Sequence, residues 1–261
     1  MMQRKISQSF MKEFSNYLQG NSCGLQLLAK YYDGVQFPSS KPQLLGQYFE
    51  YQFTGALPKF GNIPEPEVVY KGTAREGLSA DFQKAKKSVE FAKRMFEELG
   101  IEILDKGVRL EDDTMVGDAD IKAMWNGEVC IIDLKYSSVI DDKWSDYGWD
   151  SATLSEKDET LVQAVQYKLL AQKLWGIEDV PFYFFVFSAK EPGYAKIFKI
   201  IVDEVRYETH MISVHRIRTK LDSIDRGFFR ARPELKRCME CPLYQTCPSK
   251  TTLPIVEEIY Y

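Results

Sequence analysis

Three residues near the middle of the chain combine charge types that belong together only for a reason. Asp120 ends the segment Gly117-Asp118-Ala119-Asp120, and Asp133 and Lys135 lie in Ile131-Ile132-Asp133-Leu134-Lys135. Side chains alternate along a strand, so Asp133 and Lys135 project from one face. Asn126-Gly127 between the two segments is the favoured pair for a two-residue type I′ hairpin. That hairpin can bring Asp120 beside Asp133. Paired carboxylates repel, and a divalent cation relieves the repulsion; carboxylate oxygens suit Mg²⁺ or Mn²⁺. Such an ion polarises a phosphoryl oxygen and lowers the pKa of a water, and a neighbouring lysine can orient that water or meet developing charge. A lone D-x-K is common, and taken alone it reads as a plain Asp–Lys pair at a strand end. The G-x-x-D one hairpin upstream favours a site.

Other candidates lie further off. Glu50 closes Gly46-Gln47-Tyr48-Phe49-Glu50, within a helical segment expected over 43–56. Glu65 and Glu67 compete with it, but a Pro-rich loop from Pro58 to Gly72 holds a ligand poorly. Gln163 and Tyr167 stand four apart on a helix expected over 158–174, so they share a face. Gln166 is one residue from the matching spacing.

The five cysteines divide unevenly. Cys130 sits in the apolar run VCIIDL and reads as core. Cys23 stands alone near the start, and Cys238, Cys241 and Cys247 form C-x2-C-x5-C. In a reducing compartment such a group more often binds metal than forms disulfides. Thiolates hold both zinc and iron–sulfur clusters, and both stay open on spacing alone. His210 and His215 are five apart on an expected helix and share no face, so they read as ordinary helix residues.

The elements that must position these residues follow from periodicity. Helices are expected over 8–32 with a break at Gly20-Asn21-Ser22, and over 81–99 with a stop at Gly100. Strands are expected over 101–104, 108–110, 115–125, 128–137, 181–188 and 195–202, and a long helix over 203–229. The aromatics of PFYFFVFS read as core. The resulting fold class is α/β, with a central mixed sheet flanked by helices.

Composition bounds the rest. The 44% hydrophobic and 28% charged fractions are those of a folded chain. No run of about 18 apolar residues suggests a membrane helix, and the charged start MMQRKISQSFMKEF is not a signal peptide. A cytoplasmic location is therefore expected. The net charge of −4 argues against a protein that coats nucleic acid, but not against a local basic groove. Residues 206–237 carry nine basic against four acidic side chains, which makes a phosphate-facing surface plausible before the cysteine group. Residues 141–159 carry seven acidic against two basic, and read as solvated surface.

Taken in order, these motifs resemble the PD-(D/E)XK nuclease superfamily. G-x-A-D, a hairpin and I-I-D-x-K are similar to its core. Gly46 to Glu50 resembles the G-x-x-x-(H/E) helix motif of RecB-like nucleases, and Gln163 to Tyr167 resembles their Q-x-x-x-Y motif. One cysteine before the core and three after it, together with Ile6-Ser7-Gln8-Ser9, resembles the iron–sulfur members, including the AddB-type and CRISPR-adaptation nucleases.

The resemblance implies a restriction-endonuclease-like core over 81–202, with 1–57 and 203–250 forming a helical and cluster part of one domain. It implies a metal held by Glu50, Asp120, Asp133 and the Leu134 carbonyl, with Lys135 completing the catalytic set. Gln163 and Tyr167 position DNA, and Cys23, Cys238, Cys241 and Cys247 ligate a [4Fe–4S] cluster. The activity implied is a DNA nuclease, with exonuclease action on single-stranded or end-bearing DNA and a helicase or recombination protein as partner. A module that keeps the fold and binds DNA without cutting is the alternative.

Two departures stand out. Glu50 occupies a position that is usually His in the CRISPR-adaptation members and is closer to exonucleases of phage or recombination type. The acidic stretch with Trp144, Tyr147 and Trp149 has no place in the family pattern.

Overall fold

Asn126 and Gly127 take positive φ angles of 54° and 79°, as a type I′ turn requires. They close a hairpin between β4 (Val116–Trp125) and β5 (Glu128–Ser137). The structure is a computed structural model that describes residues 4–56, 68–71, 74–138, 140 and 154–249. Around that hairpin a five-stranded sheet runs in the order β3-β4-β5-β6-β7, with β3 at Glu102–Glu111, β6 at Phe182–Ser188 and β7 at Ala195–Ile200. β5 and β6 are parallel and the other neighbours antiparallel, so the sheet is mixed as expected. The parallel step needs a crossover, supplied by helix α5 (Leu154–Trp175).

The other elements are α1 (Gln8–Leu18), α2 (Gly24–Tyr31), α3 (Lys41–Thr54), β1 (Val68–Lys71), β2 (Ala74–Leu78), α4 (Ala80–Glu98), α6 (Glu204–Asp222), a 3₁₀ turn (Arg226–Phe228) and α7 (Leu235–Met239). The chain divides into two compact units. A sheet unit comprises 4–8 and 39–216; a terminal unit comprises 1–3, 9–38 and 217–261.

Within the sheet unit, strand alternation sorts the side chains. Cys130, Ile132 and Leu134 of β5 join Ile121, Ala123, Tyr183, Phe185 and Phe187 on one face. Phe49 and Phe53 of α3 and Val89, Ala92 and Phe96 of α4 pack over that face. Every residue of β6 is buried, which places PFYFFVFS in the core. Each such phenylalanine contributes roughly 1.5–3 kcal/mol by leaving water. The opposite face carries Asp133 and Lys135, and there Tyr167 of α5 meets Phe182 edge-on at 6.3 Å.

Within the terminal unit, Tyr17 ties α1 to the segment after α6. Its hydroxyl donates to the Phe228 carbonyl at 2.6 Å and accepts from the Arg230 N–H at 3.0 Å. Gly24 donates to the Arg230 carbonyl at 2.9 Å, and a β-carbon at residue 24 would lie 2.8 Å from Arg230 backbone atoms. Only glycine permits that approach.

Three expected elements differ. The 203–229 helix stops at Asp222, because Asp225 accepts the Gly227 N–H and starts a 3₁₀ turn instead. Strands 101–104 and 108–110 are one strand, bridged across an irregularity between Ile103 and Asp105. The end of the expected Pro-rich loop is a strand, since Val68–Lys71 pairs with Ala74–Leu78. Glu65, Glu67 and residues 141–153 lie outside the described residues.

Candidate active site

The β4–β5 ladder ends at the pair Ile121 and Ile132. Beyond it Asp120 Oδ2 accepts the Leu134 N–H at 2.7 Å, so a carboxylate takes the next ladder position. This fixes Asp120 against the segment carrying Asp133 and Lys135. The neighbouring Asp118 is turned elsewhere and pairs with Arg109 across β3 at 2.6 Å. The motif therefore presents one acid to the site and uses the other between strands.

Asp133 is 1% exposed, and Lys135 Nζ lies 2.5 Å from its Oδ2. That contact is an ion pair rather than a well-formed hydrogen bond, and Oδ2 has no hydrogen-bond partner of good geometry. Gln163 of α5 joins the pair from the side: its Nε2 donates to Asp133 Oδ1 at 2.5 Å, and its Oε1 accepts from Lys135 at 3.3 Å. The amide thus matches both charges at once.

Tyr167, one turn on, is buried, and its hydroxyl accepts the Asp118 N–H at 3.3 Å. Burial, with Asp133 and Asp120 nearby, drives its phenol well above the ordinary range, so it stays protonated. Gln166 is structural: its Nε2 donates to the carbonyls of Ile6 at 3.0 Å and Val116 at 2.8 Å. It thereby holds the segment at Ile6 against the start of β4, where Ile6 bridges Met115.

Glu50 reaches the same place from α3. Phe49 stacks on Tyr136 with 5.1 Å between centroids and 9° between planes, which sets Glu50 at the carboxyl end of β5. Burial, then Asp133, push its carboxyl up to about 7, with Lys135 opposing. Asp120 is raised well above its ordinary value by burial, Asp133 and Glu50. Asp133 is raised by burial, against the pull of Lys135 and Gln163. For Lys135 burial acts downward, but Asp133, Asp120 and Glu50 outweigh it and the ammonium is raised. Three acids around one ammonium leave an excess of negative charge in a poorly solvated place, and that excess favours a further cation.

Among the described residues no three His, Cys, Asp or Glu side chains are already arranged as a ligand set for a single metal ion. The reason at this site is visible. Lys135 and Gln163 occupy the two oxygens of Asp133, and Leu134 occupies one of Asp120. The donors nevertheless fit a hard divalent cation: carboxylates, with the poorly bonded Asp133 Oδ2 at their centre.

Cys130 is buried, and burial pushes its thiol up to about 12. Cys23, Cys238, Cys241 and Cys247 are half-buried free thiols that line one cavity of about 140 Å³ in the terminal unit. Two of them accept backbone hydrogen bonds: Arg232 N–H to Cys23 Sγ at 3.5 Å and Glu234 N–H to Cys238 Sγ at 3.4 Å. Such donors stabilise thiolate sulfur. A single zinc draws its four sulfurs to about 2.3 Å from one centre. Four thiols lining one cavity could hold either a zinc ion or a larger cluster.

The basic segment is partly engaged within the protein. Arg226 pairs with Asp33 at 2.7 Å, Arg237 pairs with Glu234 at 2.5 Å, and Arg232 donates to the Tyr17 carbonyl at 2.8 Å. His210 is buried and His215 exposed, in keeping with their lack of a common face.

The fold, a mixed sheet flanked by helices, has a solved counterpart. The crystal structure of a protein from Eubacterium rectale, named as a "Putative exonuclease", superposes with a TM-score of 0.64. The match covers 98% of this chain and 91% of that one at 20% identity, and shows a shared fold. A second structure, of SSO0001, aligns over 87% of this chain at 12% identity with a TM-score of 0.32, too low to carry weight. No family model matches the chain, and no curated protein matches it in sequence. Among the described residues no helix is long and apolar enough to cross a membrane.

Proposed function

We propose that the protein is a divalent-metal-dependent deoxyribonuclease of the RecB-like, PD-(D/E)XK kind, acting as an exonuclease. The observation that carries this reading is the convergence of Glu50, Asp120, Asp133 and Lys135 from three elements, with Gln163 bonded to both members of the Asp133–Lys135 pair. Glu50, Asp120, Asp133 and the Leu134 carbonyl would hold Mg²⁺ or Mn²⁺. A cation bound there supplies Lewis-acid polarisation of the phosphoryl group and a more acidic water.

The chain's own residues do the rest. Lys135, beside Asp133, would turn its ammonium to the attacking water or the scissile phosphate. Gln163 keeps Lys135 and Asp133 in register, and as the less buried member of its motif it can also meet a DNA phosphate. Tyr167 supports this by fixing α5 on β4. Water adds to phosphorus and gives up a proton to solvent, the P–O bond to the leaving nucleotide breaks, and the leaving oxygen takes a proton from solvent, so that one water is divided between the two products.

The cysteine cavity supports a second part of the proposal. Cys23, Cys238, Cys241 and Cys247 would ligate a [4Fe–4S] cluster with a structural role, pinning the N-cap residue of α2 to the C-terminal segment.

The test is cleavage of 5′- and 3′-labelled single- and double-stranded DNA with Mn²⁺. Wild type should cut from ends, and Asp133→Ala and Lys135→Ala should not. Wild type that binds DNA and never cuts it with any metal sinks the enzyme reading. Visible charge-transfer absorption with iron and sulfide in anaerobically prepared protein tests the cluster. Colourless protein with stoichiometric zinc defeats it.

A further inference from the structure

The terminal unit has a second surface with recognition chemistry. A surface cavity of about 290 Å³ is lined by Tyr17, Leu18, Phe228, Arg230 and Arg232. Among the described residues no acidic side chain lines it. Arg232 is held in its wall, donating to the Tyr17 carbonyl at 2.8 Å with its guanidinium carbon 4.8 Å from the Tyr17 ring centroid. Phe228 is set edge-on to Tyr17 at 5.6 Å, and Lys220 Nζ lies 4.9 Å from the Phe228 ring centroid. Arg230 is exposed; its N–H donates to Tyr17 Oη and its carbonyl accepts the Gly24 N–H. The acids nearby are engaged: Asp222 pairs with Arg218 and Asp225 caps the 3₁₀ turn.

The geometry points to a binding site for single-stranded DNA on this surface, with Lys220 and Arg230 meeting phosphates and Phe228 offering an aromatic wall to an unstacked base. A fixed aromatic between cations is the chemistry of strand recognition: stacking accepts any base, and the cations follow the backbone. A duplex hides its base faces and would use only the charges. The wall itself carries two arginines beside two aromatic rings, while Asp222 and Asp225 line the adjoining cavity that shares Phe228 and Arg230. The inference rests on the nuclease reading only for choosing DNA as the ligand.

The experiment uses the full chain carrying Asp133→Asn, so that bound DNA is not cut. Fluorescence anisotropy measures binding of a labelled oligothymidylate of about 16 nucleotides in EDTA across a salt series. Adding Lys220→Ala and Arg230→Ala should weaken binding at least about tenfold and lower the log–log salt slope by about 1.4, the loss of two single-strand phosphate contacts. Phe228→Leu should weaken binding about tenfold with little change in slope. Lys86→Ala with Lys87→Ala, exposed residues of α4, should change neither. Wild-type affinity and slope in the Lys220/Arg230 pair overturn the inference, as does equal loss in the Lys86/Lys87 control. The outcomes separate from the parent reading: a chain that cuts DNA but ignores the pair keeps the nuclease and loses this site. A chain that never cuts yet binds through the pair does the reverse.

Discussion

Gly117 and Tyr167 are in contact so close that residue 117 has no room for a side chain. A β-carbon placed there would lie 2.8 Å from Tyr167 Cδ1 and overlap Cε1. The first residue of the Gly-x-Ala-Asp segment is thus dictated by a tyrosine on the crossover helix, and the two motifs are one packing unit. Gly117→Ala must displace the ring or the strand. The cost is about 1–3 kcal/mol, as for other overpacked cores, read as a lower urea midpoint with unchanged m. Because the clash needs the ring, Tyr167→Leu should recover part of the loss, and the double variant should be non-additive. A Gly117→Ala protein as stable as wild type contradicts the contact.

The acids at the site oppose folding when no cation is bound. Glu50 has its carboxyl raised to about 7, burial being the main cause. A raised carboxyl contributes stability that is whole below its unfolded value of 4.5 and is lost as pH rises through about 7. Glu50→Gln keeps the shape and removes the ionisation. In EDTA the variant should match wild type near pH 5 and exceed it at pH 8 by at least about 1 kcal/mol, roughly 2–4 °C in Tm. Asp120→Asn should move the same way, and both should lose cleavage. A Glu50→Gln protein that melts below wild type at pH 8 refutes the electrostatic account.

Much of this site was legible because local chemistry dictates it. Asn126-Gly127 allows one tight turn, and alternation then puts Asp133 and Lys135 on a common face away from Ile132 and Leu134. Glu50 was legible only as a motif, since its position depends on Phe49 stacking on Tyr136, a contact between residues far apart in sequence. The division of labour between Asp118 and Asp120 depends on where Arg109 falls in the neighbouring strand. Gln166, dismissed on spacing, bonds two carbonyls because its place on α5, three residues on from Gln163, turns it from the acids towards Ile6 and Val116. The end of α6 at Asp222 depends on a side-chain cap that competes locally with helix, and periodicity does not register such a competition.

Divalent ions should stabilise the folded chain in proportion to their occupancy of the carboxylates. Binding to the native state alone adds RT ln(1 + [L]/Kd), about 2.7 kcal/mol at a hundredfold excess over Kd. Thermal melts with Mg²⁺ or Mn²⁺ at neutral pH should therefore rise with concentration in wild type. The increase should vanish in Asp120→Asn/Asp133→Asn and persist in Phe228→Leu. An equal rise in the double Asn variant places the ion elsewhere.

His210 provides a pH marker independent of the carboxylates. It is 5% exposed, its Nε2 has no hydrogen-bond partner, and burial lowers its pKa to about 4. In the unfolded chain the imidazole takes a proton near its ordinary 6.5, so acid favours unfolding. The histidine's contribution is whole above about 6.5 and is lost as pH falls towards about 4, up to roughly 3 kcal/mol across that window. His210→Phe has no such proton to gain. Chemical melts of the two proteins from pH 7.5 to pH 4.5 should converge or cross as the pH falls, with wild type losing more. Parallel curves would mean that the folded protein protonates His210 as readily as the unfolded chain, against its burial.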